Sequence, residues 1–273
     1  MDLMDALARL LNAAGFQGNL QGTLLLFGLV MARFSVAIQL APFLGGRSVP
    51  VQVRVGLAAM VTALIAPHLA APSNTTPLFA LALLAKEVVL GAILGFLAQL
   101  IFLGIEMAGA LLDNQRGMNQ ISLYTPQLQG PASLLGLLQV QAAVALFVTF
   151  DGHLYFLRAL TDSYLAVPAA TLPTLRGGGL ALAELVLRLS ADLFVIAIRL
   201  AAPVLLALFL LDVTFGIFNR MAASVPVHQE NQTTKALVSL LILLPVLPVL
   251  LGQLREWPLS LFNQIAEFLA GFR

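Results

Sequence analysis

LFALALLAKEVVLGAILGFLAQLIFLGIEMAGALL, from Leu78 to Leu112, is the stretch that decides the fold. Its apolar residues run on without the alternation of a barrel strand. It also far exceeds the roughly 20 residues that cross a bilayer. The reading is therefore helix, either broken or doubled back as a hairpin. Gly91 and Gly95 make a small-xxx-small pair at which another backbone can approach closely. Gln99, Glu106 and Asp113 recur at every seventh position, which at 100° per residue keeps them within about 40° of one another. That polar line leads out of the apolar run into a segment of opposite character.

The segment is Gly109–Pro131, GALLDNQRGMNQISLYTPQLQGP, crowded with Asn, Gln, Ser and Thr between two apolar blocks. Gly117 offers a hinge that can take positive φ, and Pro126 and Pro131 stiffen the far end. Between them lie Asn119, Gln120, Ser122, Thr125 and Gln127, uncharged groups able to bond one another and let go without breaking an ion pair. Irregular backbone at membrane depth is tolerated only inside protein or beside a water-filled cavity. From these residues alone, an ordinary exposed loop between two helices is an equal reading.

The rest of the chain agrees with the opening helix. Of 273 residues, 60% are hydrophobic and 10% charged, with a mean hydropathy of +0.96, whereas soluble domains carry about 25% charged residues. A soluble globular protein is excluded in favour of an all-α, polytopic helical membrane protein of long broken helices and helical hairpins. A net charge of +1 gives no footprint for nucleic acid, and the absence of cysteine removes disulfides, thiol chemistry and most soft-metal sites. No cleavable signal is expected, since Met1–Phe16 has acids where a basic region belongs. Its Leu3, Leu7, Leu10 and Leu11 suit an amphipathic helix.

Working outward, Leu20–Leu44 is a helix with Arg33 in its middle, a residue that must face protein or a polar cavity. The bracketed glycines of Pro42–Pro50 turn the chain, and Val55–Ala71 is a shorter helix. Ala132–Phe150 and Leu154–Leu165 follow. Pro168, Pro173 and the glycines at 177–179 then divide an N-terminal half, 1–175, from a C-terminal half, 176–273. In Leu180–Leu211 the charges Glu184, Arg188, Asp192 and Arg199 alternate in sign within about 80° of the helix surface. Facing lipid they would cost about 10 kcal/mol or more, so this helix must lie against protein or partly outside the lipid core. Arg33, Gln99, Glu106, Glu184, Arg188, Asp192 and Arg199 form the candidate buried polar network. A second polar insert occupies 219–235, a last helix begins at Ala236, and Trp257 and Phe262 mark an amphipathic tail.

Signatures of catalysis are missing: there is no HExxH, GxSxG or phosphate loop. His68, His153 and His228 fall in separate loops, and Asp151, His153 and Ser163 read more simply as a polar helix end than as a triad. No enzyme activity, metal or cofactor is expected. Glu106, Asp113, Glu184 and Asp192 keep open a second reading, a self-contained secondary transporter or proton channel using buried carboxylates. A scaffold without a conducting role is a third.

In order and spacing, several pieces resemble the FliR/SctT family of bacterial type III protein export, shared by flagella and injectisomes. They are Arg33–Pro42 (RFSVAIQLAP), Arg47–Pro50, Val53-Arg-Val-Gly-Leu, the glycine-rich Glu87–Phe96, Ala108–Gly117 (AGALLDNQRG), Leu146-Phe with Gly152-His153, and Asp162-Ser-Tyr with Pro168. The Asp113–Gly117 form is closer to the injectisome branch. In the second half the likeness thins to Asn219-Arg220 and Lys235, and the insert between them departs from the pattern. The resemblance implies a non-enzymatic subunit of an export gate in the bacterial inner membrane, packed within a larger helical pore complex. It implies as partners two small hydrophobic subunits in several copies, a switch-type export subunit, unfolded secreted proteins as cargo, and membrane lipid. It further implies that the loop at 109–131 plugs the closed pore. Asp113, Asn114, Gln115, Arg116, Gly117, Met118, Asn119, Gln120, Ile121, Ser122, Leu123 and Tyr124 are then the gating residues.

Overall fold

The computed structural model describes residues 20–45, 49–72, 76–117, 133–172, 178–221, 231, 233–242 and 244. Among them there is no strand. The helices are α1 (Leu20–Leu40), α2 (Pro42–Gly45), α3 (Val51–Ile65), α4 (Pro77–Gln115), α5 (Leu134–Thr149), α6 (Gly152–Ala166) and α7 (Gly178–Met221), with a 3-10 turn at Ala66–His68. A short apolar helix, α8, covers Thr233–Ile242. Four of these segments are long and apolar enough to cross a membrane, or five if α5 and α6 count as one bent span. The protein is thus all-α and polytopic.

One expectation is corrected. Leu78–Leu112 neither breaks nor folds back; it lies within α4, a single helix of 39 residues. At 1.5 Å per residue it is about 58 Å long, nearly twice a bilayer core of about 30 Å. Nothing local interrupts it, because proline and polar inserts are absent until its end. Its glycines serve as contact points instead. α7 is longer still, 44 residues with Pro203 inside, a position that withholds one N–H from the helical ladder.

The chain forms two compact units. The first takes residues 1–99, 151–186 and 258–273, and the second takes 100–150 and 187–257. In the first, α1 packs on α3, with Ala58 and Thr62 the buried residues of α3. α1 also meets α4 at Gly91 and Gly95. A Cβ on Gly91 would sit 2.5 Å from the Arg33 carbonyl oxygen, and one on Gly95 would sit 2.8 Å from that of Ala37. The small-xxx-small spacing therefore does what it suggests. Leu29, Val30, Phe34, Ile38, Leu94 and Leu160 fill the core, with Phe43 edge-on to Phe156 at 5.2 Å.

In the second unit, α4 meets α5 where Gly109 lies against the backbone of Gly136. Phe102 stands edge-on to Phe147 at 5.4 Å. Leu193, Ala197, Leu200, Val204 and Leu208 of α7 are buried at helical spacing.

Candidate functional site

Two polar clusters stand out, one in each unit. The first grows from Arg33, which is fully buried in the middle of α1. Its Nε donates to Glu87 Oε2 at 2.5 Å and one Nη to Glu87 Oε1 at 3.0 Å, a fork on a carboxylate that is itself fully buried. The other Nη donates to Ser163 Oγ at 2.7 Å, and the guanidinium also reaches the Val167 carbonyl at 3.0 Å. Tyr164 supplies a ring face 3.8 Å from the guanidinium carbon. Lys86 adds a second cation, 2.8 Å from Glu87 Oε1.

Two positive charges against one negative would be unfavourable in an apolar interior. The surplus is absorbed by main-chain oxygens. Lys86 Nζ donates to the carbonyls of Pro168, Ala169 and Thr171 at 2.7, 3.1 and 3.0 Å. These acceptors belong to the turn that follows α6, whose carbonyls point at the ammonium. The cluster ties α1, α4 and α6 together, with one carboxylate shared by two cations and the surplus positive charge held by main-chain oxygens.

The second cluster forms at the end of α4. Asp113 is buried and pairs with Arg116 one turn on. Its Oδ2 also accepts from Ser133 Oγ at 2.7 Å and from the Leu135 amide at 2.9 Å. Ser133 caps α5 by accepting from the Gly136 amide at 2.8 Å. One carboxylate thus fastens the residues on both sides of segment 118–132. On the entering side Gly117 has φ 72°, the left-handed conformation foreseen for the hinge. Arg116 reaches on to Ser239 Oγ at 2.8 Å.

Asp212 of α7 makes a neighbouring knot. It lies 2.5 Å from Lys235 Nζ and accepts from Gln115 Nε2 at 3.3 Å and Asn231 Nδ2 at 3.2 Å.

Of the expected gating residues, Asp113, Asn114, Gln115, Arg116 and Gly117 fall at this base, while Met118–Tyr124 lie outside the described residues. The expected polar network is distributed differently. Arg33 is buried and Gln99 half-buried, but Glu106, Glu184, Arg188, Asp192 and Arg199 are exposed on this chain. The reason on α7 is geometric: its buried stripe, Leu193 to Leu208, takes the inward face and turns the charges out. Ser163 is engaged by Arg33 and donates to the Leu160 carbonyl at 2.6 Å, so it is no nucleophile of a triad. His228 lies outside the described residues.

Sequence reasoning missed Glu87, Lys86 and Tyr164 as partners of Arg33, and Asp212 as the partner of Lys235. A signal existed for Glu87. It stands one helical turn before Gly91, on the face where α4 touches Arg33. No sequence periodicity links Asp212 to Lys235, because the second polar insert separates them.

Fold and clusters define a multi-pass, all-helical membrane protein whose charged groups join helices and loop ends. The chain matches the bacterial export proteins, family 1, over residues 24–258. It is 31% identical over 248 residues to the flagellar biosynthetic protein FliR of Pectobacterium carotovorum, covering 87% of this chain and 88% of that one. It is equally 31% identical over 228 residues to the Yop proteins translocation protein T of Yersinia pestis, covering 82% and 86%. The secretion system apparatus protein SsaT of Salmonella typhimurium is 29% identical over 172 residues, 62% of this chain and 64% of that one. The chain belongs to this family of bacterial export proteins. It is a component of a type III protein export apparatus, and it is not an enzyme.

Proposed function

We propose that this chain is a structural and gating subunit of the export gate in the bacterial inner membrane. It helps to form, and at rest to close, the channel through which unfolded proteins cross. The observation that carries the reading is Asp113, whose carboxylate holds Arg116 on one side of segment 118–132 and Ser133 and Leu135 on the other. A loop drawn together at its base can act as a stopper and be released by small motions of the helices that carry it. The closure proposed is mechanical, and the uncharged composition of the segment, with Asn119, Gln120 and Ser122, supports it, since no ion pair has to break on release.

The partners are two small hydrophobic subunits in several copies and a switch-type subunit, in a complex of the injectisome type. The exposed charges Glu184, Arg188, Asp192 and Arg199 and the exposed Leu187, Phe194 and Ile198 of α7 suit burial against such neighbours better than lipid. The length of α4 suits a complex set partly above the membrane. The self-contained transporter has less support, since Glu87 and Asp113 are each held by cations and hydrogen bonds and Glu106 is exposed.

Deleting Met118–Thr125 tests the gate. Resting ion leakage should rise in cells that assemble the complex, and an assembled complex with unchanged leakage would count against closure by this loop.

A further inference from the structure

The knot around Asp212 joins the surroundings of the two polar inserts, and this coupling goes beyond the closure described above. Gln115 is the last residue of α4, so its carbonyl is one of those the helix leaves without an internal partner. Lys235 Nζ supplies that partner at 3.2 Å while sitting 2.5 Å from Asp212 Oδ1. An ammonium at a helix C-terminus is favourable in its own right. Gln115 Nε2 closes the ring on Asp212 Oδ2, Asn231 donates to Oδ1, and next to them Arg116 donates to Ser239. Asn231, Lys235 and Ser239 all follow segment 222–230, and Asp212 precedes it. Side chains from both sides of the second insert therefore converge on Gln115 and Arg116, the two residues that lead into the first.

We propose that Asp212 and Lys235 form a latch on the end of α4: the pair holds the carbonyl and side chain of Gln115, and through them Arg116 and Gly117, in place until Lys235 withdraws. The inference rests on the gating reading of 118–132. The latch has the character of something that opens. The side chains of Asp212 and Lys235 are 32% and 11% exposed, against 0% for both Arg33 and Glu87. Water can replace its bonds as they part, so releasing it costs far less than opening a buried pair. A displacement of Asn231–Lys235 withdraws the ammonium from the Gln115 carbonyl and removes the cation from Asp212 in one step.

The test uses the assembled complex carrying Lys235→Gln, Asp212→Asn or the conservative Lys235→Arg, with two readouts. The first is hydrogen exchange of the amides of Arg116 and Gly117, compared with core amides at Val204–Leu208. The second is resting ion leakage. Lys235→Gln and Asp212→Asn should speed exchange at Arg116 and Gly117 roughly two- to fivefold, the scale of a partly exposed ion pair. Core amides should stay unchanged, leakage should rise, and Lys235→Arg should restore both. Unchanged exchange in Lys235→Gln and Asp212→Asn, or equal acceleration in the core, overturns the latch. If deletion of Met118–Thr125 leaks while these variants change nothing, the gate stands and the latch falls. Faster, Arg-restored exchange with no leakage from any variant, the deletion included, keeps the contact and removes the gate.

Discussion

The two polar clusters use the same chemistry for opposite purposes. Around Arg33, an ion pair with no exposed surface is wrapped by a serine hydroxyl, a tyrosine ring and main-chain carbonyls, and it joins three helices. Around Asp113 and Asp212, the pairs gather at the end of α4 and the start of α8, and their cations keep 10% and 11% of their side chains exposed. Breaking a buried pair strands a charge in a medium that cannot solvate it, whereas at Asp212, whose side chain is 32% exposed, water can enter as the pair parts. The first cluster suits a permanent joint and the second a reversible one.

The strongest way to break the comparison is to remove Glu87. Glu87→Ala leaves Arg33 and Lys86 buried without a counter-charge, a change worth about 3–5 kcal/mol. The purified protein in detergent should lose most of its thermal stability and its level in membranes should fall sharply. A small shift in Tm would mean that water reaches the cluster and that the two sites are not different in kind.

Next in size is Asp113→Ala. It removes the partner of Arg116 together with acceptors for Ser133 and the Leu135 amide, a loss of about 2–3 kcal/mol if the freed groups stay partly buried. Leakage should rise further than the stability loss alone explains, because the loop base opens. Gly109→Val should cost about 1–3 kcal/mol, since any Cβ there overlaps the backbone of Gly136. Its effect should be on Tm with little specific effect on leakage, which separates packing of α4 on α5 from closure of the base.

How much of this was legible beforehand follows from range. Apolar runs gave the helices, and the spacing of Gly91 and Gly95 gave a crossing that the structure places against α1. The left-handed Gly117 was readable because only a hinge explains a glycine amid that polar run. The continuity of α4 was misjudged through its length alone, since nothing in its residues breaks a helix. The pairing of Arg33 with Glu87 was hidden because the residues stand 54 positions apart, and periodicity speaks only within one element. The charges of α7 show the converse. Their common face was legible, but its exposure on this chain was not, because periodicity does not say which face of a helix packs inward.

The finest test compares two serines that do the same job. Ser163 accepts from Arg33 and donates to the carbonyl three residues back, Leu160. Ser239 accepts from Arg116 and donates to the carbonyl three residues back, Ala236. Both serines are 1% exposed, so truncation to alanine removes the same atom from similarly buried positions. The outcome should differ because of the arginines. Arg33 has no exposed surface, and losing Ser163 strands one of its donors at a cost of about 1–3 kcal/mol. Arg116 keeps 10% of its side chain exposed, so its guanidinium has a route to water that Arg33 lacks, and Ser239→Ala should cost less than Ser163→Ala. Thermal unfolding of the two single variants in the same detergent measures both. Equal losses would erase the distinction between joint and latch, while a clear excess for Ser163→Ala would place it in the solvation of the cation, since the lost hydroxyl is common to both.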